Sequence, residues 1–479
     1  MQSRKVAYCI TDNHQRIVTK IAATRAELEK VKDQFGTLTK SSRNAELYGG
    51  FNALIDPFKR IKYTISDRYN TPSVSLQWIK MIEILTYYRL IQYIMNRGIG
   101  EKEDLFSFRR DLHVVVDDDE DGDEHDPFSR YDMMDDISVY DDTGIPGHFL
   151  LAIYHYYFSQ LRGSEVSNKF KWYVNSQTES VEDDQFRLYE NYRDTNHCVT
   201  FDTLTYNGIM DAVRHFDDTA FINLFVSDRN VDLDGKYDRQ EELHIHSNYS
   251  QICLAMGLLG EGGCMITKQF TISHPATLSL LGRAAGVFDE MHICKPESSR
   301  SDNSEVFVVG IGFKLEAGRS LFNELIRELK EFDMGTYTAD SLQGNVYLKS
   351  LYQNSVAIMT SQMEAITRII TTFENYKANP EMVKRQIYIK QQDIVKVWYE
   401  RINLIPLDQR DHLNIYNTTK YLVRSAPVRT VSDVQPKKYS QSQSHTNGHS
   451  NGHDHGYDHR KGKQHSFTPH ARMSSGGIR

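Results

Sequence analysis

No stretch of this chain reaches the ~18 consecutive apolar residues that a membrane-crossing helix requires. Its first thirty residues mix Arg, Lys, Asp and Glu with apolar side chains. Together these features argue against a bilayer span and against a secretion signal. Cysteine is sparse: Cys9, Cys198, Cys253, Cys264 and Cys294 are five scattered residues with no Cys-x-x-Cys pair. Neither a disulfide framework nor a structural zinc site is indicated, and a reducing setting fits. Positive charge is not in excess, since the formal net charge is −8. A protein that coats nucleic acid through bulk charge is therefore excluded, although a local basic groove is not. The Gly-x-Gly-x-x-Gly cradle for a pyrophosphate is missing too, which disfavours dinucleotide-dependent redox chemistry.

What is present is a long chain, 479 residues and 39% hydrophobic, enough for two or three structural units. Residues 1–70 read as an N-terminal extension, with a strand-like Val6–Ile10 and a helix-like stretch over 24–34. Thr71 and Pro72 suit a helix start, because Thr caps free amides and Pro fits the first turn. Val74, Trp78, Ile82, Leu85, Ile91 and Met95 then recur near helical spacing up to Gly98, and Lys80 rides on that helix. An acidic insertion at about 115–130, dense in Asp and Glu over 117–126, repels itself and predicts a solvated loop without the spacing of a calcium loop.

From Ile137 the pattern alternates short apolar runs with amphipathic stretches, as in an α/β doubly wound sheet. Strands are expected at 137–141, 169–175, 221–227, 262–268, 289–294 and 305–313. Helices are expected at 147–161, 240–259, 273–286 and 319–332. Residues 336–425 read as a helical appendage, with a stripe of Val356, Met359, Met363, Ile366, Ile370 and Phe373 and a second helix opened by Asn379 and Pro380. The tail over 426–479 shifts to Ser, Gln, Asn, Gly and seven histidines, a composition that predicts disorder and no fixed metal geometry.

Chemistry enters through an ordered set of short motifs. The loop Asp141-Asp142-Thr143-Gly144-Ile145-Pro146-Gly147-His148-Phe149 follows a predicted strand. Asp228 ends another, Lys268 a third, and Lys295-Pro296-Glu297-Ser298-Ser299-Arg300 leads to Glu305. In this order the motifs resemble the RrmJ/FtsJ family of S-adenosylmethionine-dependent RNA ribose 2′-O-methyltransferases over residues 71–335, most closely the cap methyltransferases of large DNA viruses. The resemblance implies a Rossmann-like methyltransferase sheet, mostly parallel with one antiparallel strand. It implies S-adenosyl-L-methionine as cofactor and RNA, above all capped mRNA, as partner, with no membrane and no structural metal. An intracellular location is expected, in the cytoplasm (of the host, if the protein is viral) or in the nucleus.

The family's Lys-Asp-Lys-Glu tetrad maps onto Lys80, Asp228, Lys268 and Glu305. Lys80 is chosen because Ser75–Ile84 resembles the family helix in which a Lys precedes a Glu by three residues; Lys59 and Lys62 are its rivals. An exposed Lys80 paired with Glu83 is the plainer reading. The implied cofactor residues are Asp141, Gly144, Pro146, Gly147, Phe149, Asn207 and Asp228. His148 stands where the family has a second glycine, Thr143 stands for another, and Asn207 stands for an Asp. A ribose hydroxyl is a poor nucleophile, so a neutral amine beside it can take its proton. Lys268 fills that role, with burial and the second ammonium of Lys80 disfavouring its charged form. Methylation at an internal RNA site, and a catalytically inactive scaffold that keeps the fold, are the alternatives.

Overall fold

The computed structural model describes residues 1–9, 14–40, 44–71, 74–96, 137–143, 147–161, 170–175, 198–217, 222–229, 231, 239–408 and 411–413. The acidic insertion, the His-rich tail, Gly98 and the loop positions Gly144 and Pro146 lie outside them.

Eight strands form one sheet: β1 (Gln2–Lys5), β2 (Ile137–Asp141), β3 (Phe170–Asn175), β4 (Cys198–Val199), β5 (Ile222–Ser227), β6 (Leu259–Phe270), β7 (Phe288–Lys295) and β8 (Glu305–Phe313). Their order is β1-β7-β8-β6-β5-β2-β3-β4. Strands β2 to β6 run parallel. Strand β8 is antiparallel to both β6 and β7. The expectation of one antiparallel strand needs a correction, because β1 pairs antiparallel with β7 and makes a second. It comes from the N-terminal segment, where the strand lies at Gln2–Lys5 rather than at Val6–Ile10.

Alternating side chains explain why both faces are covered. Val139, Leu224, Val226, Cys264, Ile266 and Phe307 enter one apolar core, while Tyr140, Phe225, Met265, Val306 and Val308 enter the other. Successive strand residues point to opposite faces, so strands buried on both sides read as continuous apolar runs.

Twelve helices occur among the described residues. Before β2 come α1 (His14–Lys40), α2 (Ala45–Leu54), α3 (Pro57–Tyr69), α4 (Leu76–Tyr88) and α5 (Leu90–Asn96). Within the sheet region lie α6 (His148–Gln160), α7 (Tyr206–Asp217), α8 (Gln240–Leu258), α9 (Pro275–Gly286) and α10 (Leu315–Lys330); α11 (Leu348–Ala378) and α12 (Pro380–Arg401) follow. Helix α4 starts later than Thr71, because Ser75 in extended backbone accepts from the Trp78 amide. Arg89, at φ 51°, breaks α4 from α5. Asn379 caps α12 by accepting from the Met382 amide, with Pro380 in its first turn, as its sequence predicts.

The terminal segments are built into the same cores. Helix α1 packs on α11, and Ile17, Ile21, Leu28, Met359 and Ile366 share one core. Phe58 and Ile65 of α3 and Trp398 of α12 join the other. Strand β4 and α7 have no counterpart in the sequence expectation: β4 is two residues long, and α7 follows a turn at Thr203–Thr205.

Candidate active site

Strand order sets the location. The chain leaves β2 toward β3 and β4, then returns to place β5 on the other side of β2. Ligands of such sheets bind at that reversal, beyond the carboxyl ends of the strands. Here the loop after β2 and the loop after β5 flank the crevice.

The four tetrad positions come together as two buried ion pairs. Lys80 Nζ, from α4, lies 2.7 Å from Glu305 Oε1 and donates to Oε2 at 2.9 Å. Lys268 Nζ, near the end of β6, pairs with the Asp228 carboxylate just past β5 and donates to the Asp228 backbone oxygen at 3.2 Å. All four residues are buried. Ser299 Oγ donates to Glu305 Oε1 at 2.6 Å, so the Lys-Pro-Glu-Ser-Ser-Arg loop touches the tetrad directly. Burial pushes the Glu305 carboxyl up, but Lys80 outweighs it and holds the group below its ordinary value. Asp228 goes the other way: burial raises it, against the pull of Lys268. The pairs act on one another, since Lys268 lowers Glu305, while Glu305 raises and Lys80 lowers Asp228.

Lys80 is not the exposed partner of Glu83. Glu83, one turn on, turns to the same loop and accepts from the backbone amides of Glu297 at 2.6 Å and Ser298 at 3.2 Å. The Trp398 indole of α12 donates to it as well, at 3.1 Å. Burial drives the Glu83 carboxyl up to about 7, against these hydrogen bonds. Of the rivals to Lys80, Lys62 lies over the ring of Tyr63 instead, and the Lys59 side chain is outside the described set.

On the cofactor side, Asp141 spends both oxygens on its own loop. Oδ1 accepts from the Thr143 amide at 2.9 Å and Oδ2 from the Leu150 amide at 3.0 Å. It thus caps α6 from a distance, as an N-terminal carboxylate can. Burial raises it to about 7 despite these bonds. Gly147, the N-cap of α6, has φ 67°, and a Cβ there would stand 3.5 Å from Val174 and Leu150. A left-handed residue at this position costs a side chain roughly 1–2 kcal/mol, which glycine avoids. Phe149 is buried, its ring centroid 6.1 Å from that of Phe307. His148 is half-buried; its Nδ1 has no hydrogen-bond partner, and burial lowers its pKa. Asn207 is exposed in the first turn of α7 and is not brought into the crevice.

A second network at the crevice escaped the motif reading. Asp142 is buried and bridges both loops: Arg229 Nη2 lies 3.1 Å from Oδ2, while Asn175 at 2.8 Å and Thr203 at 3.2 Å donate to Oδ1. The Asp142 amide donates to the Val226 carbonyl at 2.8 Å. These residues end β2, β3 and β5 and begin the turn into α7. The signals in the sequence were the doubled aspartate at a strand end and the arginine directly after Asp228.

Crevice, paired lysines and carboxylates, and an anchored glycine loop define a group-transfer enzyme of the methyltransferase class. Residues 176–313 match the model of the FtsJ-like methyltransferase family. The chain contains an FtsJ-like methyltransferase domain, and the matched stretch includes Asp228, Lys268 and Glu305. Among curated proteins, the chain is similar to the "Probable methyltransferase EP424R" of African swine fever virus, 25% identical over 276 residues, covering 53% of each chain. It is similar to the cap-specific mRNA (nucleoside-2′-O-)-methyltransferase 2 of Mus musculus, 28% identical over 192 residues, or 38% of this chain and 24% of the mouse protein. It also resembles an uncharacterised protein of Acanthamoeba polyphaga mimivirus, 22% identical over 74% of this chain and 40% of that one. The chain thus spans about half the length, or less, of these relatives. No helix of the described residues is long and apolar enough to cross a membrane.

Proposed function

We propose that this protein transfers a methyl group from S-adenosyl-L-methionine to a ribose 2′-hydroxyl of RNA, on the first transcribed nucleotide beside an mRNA cap. The observation that carries the reading is the burial of two lysine–carboxylate pairs side by side at the carboxyl end of the sheet. The crevice suits the cofactor: Gly147 keeps backbone close, and His148 Nδ1 and Arg229 Nη1 are buried polar atoms without partners in its walls. Asp142, Asn175 and Thr203 offer further polar groups for an amino-acid or ribose moiety, beside the proposed contacts of Gly144, Pro146 and Phe149. When bound, the cofactor supplies an activated methyl on sulfur.

The chain's own residues have two tasks. They align the ribose oxygen with that methyl, which is the proximity contribution, and they remove the hydroxyl proton. Lys268, in its neutral form, takes the proton as the oxygen–methyl bond forms and the sulfur–methyl bond breaks. Asp228 holds Lys268 in place. Lys80, fixed by Glu305 and through it by Ser299, sets a second positive charge beside the site.

The test is transfer of labelled methyl to short capped and uncapped RNAs by the full chain, with Lys268→Ala as control. Transfer to capped RNA that is lost in the variant, while cofactor binding persists, supports the reading. Equal transfer to uncapped internal sites would move the substrate away from the cap. Absence of both cofactor binding and transfer in folded protein would favour a scaffold.

A further inference from the structure

The loop 295–305 has two sides. One side meets the tetrad through Ser299 and Glu305. The other walls a separate cavity of about 700 Å³, closed by β1, the junction of α2 and α3, α11 and α12. Such a volume lies in the range of small-molecule sites, roughly 300–1,000 Å³.

Its lining combines apolar walls with polar groups in defined roles. Phe58, Ile358 and Ile369 supply apolar surface. Gln362, 3% exposed, donates through Nε2 to the Asp302 carbonyl at 2.9 Å, and its Oε1 is buried without a partner. An orphaned buried acceptor costs about 1–3 kcal/mol, so its retention against a cavity asks for a donor. The carboxylates around the cavity are already engaged. Asp302 is held by Arg300 at 2.6 Å, Glu297 by Arg401 at 2.7 Å, and Asp56 accepts from the Phe58 amide at 3.0 Å. The cations are not matched in the same way. Arg4 is exposed and makes no ion pair among the described residues, and Arg368 reaches Glu364 only at 3.8 Å on the exposed face of α11. A weak exposed pair of this kind yields readily to a phosphate.

We propose that this cavity seats a nucleotide of the RNA substrate that neighbours the methylated ribose. Its base lies against the apolar walls with an amino group donating to Gln362 Oε1, and its phosphate meets Arg4 and Arg368. This rests on the methyltransferase reading above. The loop that holds Glu305 then also senses occupancy of the cavity, because Asp302 and Asn303 line it while Asn303 Oδ1 accepts from Lys295 at 2.7 Å and from the Glu305 amide at 3.2 Å.

The experiment uses the full chain and a capped hexaribonucleotide carrying one photoreactive 6-thioguanosine, with Gln362→Leu and the double variant Arg4→Glu/Arg368→Glu. The expected result is a crosslink to peptides within 55–58 or 357–369 and a five-fold or greater rise in the RNA Kd of each variant, at unchanged cofactor affinity. Unchanged RNA affinity in both variants, with wild-type protein that binds and methylates RNA, would overturn the cavity proposal alone. Complete protection from crosslinking by guanosine monophosphate at concentrations below the RNA Kd would assign the cavity to a free nucleotide and overturn it as an RNA seat. Folded wild-type protein that neither binds RNA nor transfers methyl would remove the methyltransferase reading and this inference with it.

Discussion

The two halves of the candidate active centre are built differently. Asp228 and Lys268 end adjacent parallel strands whose register sets Ser227 beside Thr267, so the sheet itself brings them together. Lys80 and Glu305 arrive from a helix and from the far side of an antiparallel strand pair. Their loop is tied down by Glu83, and Glu83 is held in turn by Trp398 of α12. The first half depends on neighbouring strands, the second on helices outside the family-matched stretch. Buried ion pairs are costly to desolvate and are strongly disrupted when one partner is lost, so each half should fail in its own way.

The largest expected effect comes from removing the proposed base. Lys268→Ala should lower the rate of methyl transfer by about 10²–10⁴-fold, the usual range for a general base. Cofactor affinity measured by calorimetry should survive.

The second prediction uses pH to probe the assembled half. The Glu83 carboxyl is raised from 4.5 to about 7 in the fold by burial. Between those values the native state keeps a proton that the unfolded chain has released. Its contribution is therefore fully present below about pH 4.5 and lost as pH rises through 7. Wild-type stability should fall relative to Glu83→Gln across that window, by on the order of 3 kcal/mol, and run parallel to it above and below. Denaturant titrations at half-unit pH steps check this. Curves parallel throughout would mean that Glu83 does not titrate there.

Glu83→Ala leaves the amides of Glu297 and Ser298 without their acceptor. A loss of about 1–3 kcal/mol is expected, together with slower transfer, because the loop carrying Ser299 is released. Trp398→Phe keeps the ring's bulk but removes one donor, and should cost only about 0.5–1.5 kcal/mol. If transfer slows in Trp398→Phe while thermal stability barely moves, the outer helices position the loop rather than merely support it.

Legibility in the sequence followed the same division. The strands over 137–141 and 305–313 were readable to the residue, because buried strands are continuous apolar runs with sharp polar ends. The tetrad was legible from motif order. Strand β1 was misplaced, since its exposed, charged residues carry no apolar alternation and it owes its form to pairing with β7. The bond between Glu83 and Trp398 spans 315 residues and leaves no local trace. Asn207 was chosen by analogy and lies exposed, whereas Thr203 and Asn175 hold the inward positions. Asp142 and Arg229 were hidden by standing next to the residues that the motifs single out.

The central claim is that the paired lysines serve a ribose 2′-hydroxyl. The most direct measurement compares labelled methyl transfer to one capped RNA with a free 2′-hydroxyl on its first nucleotide and to its twin already methylated there. The account predicts incorporation into the first and none into the second, with the label recovered on that ribose after nuclease digestion. Equal incorporation into both RNAs, or label recovered on a base, would contradict it.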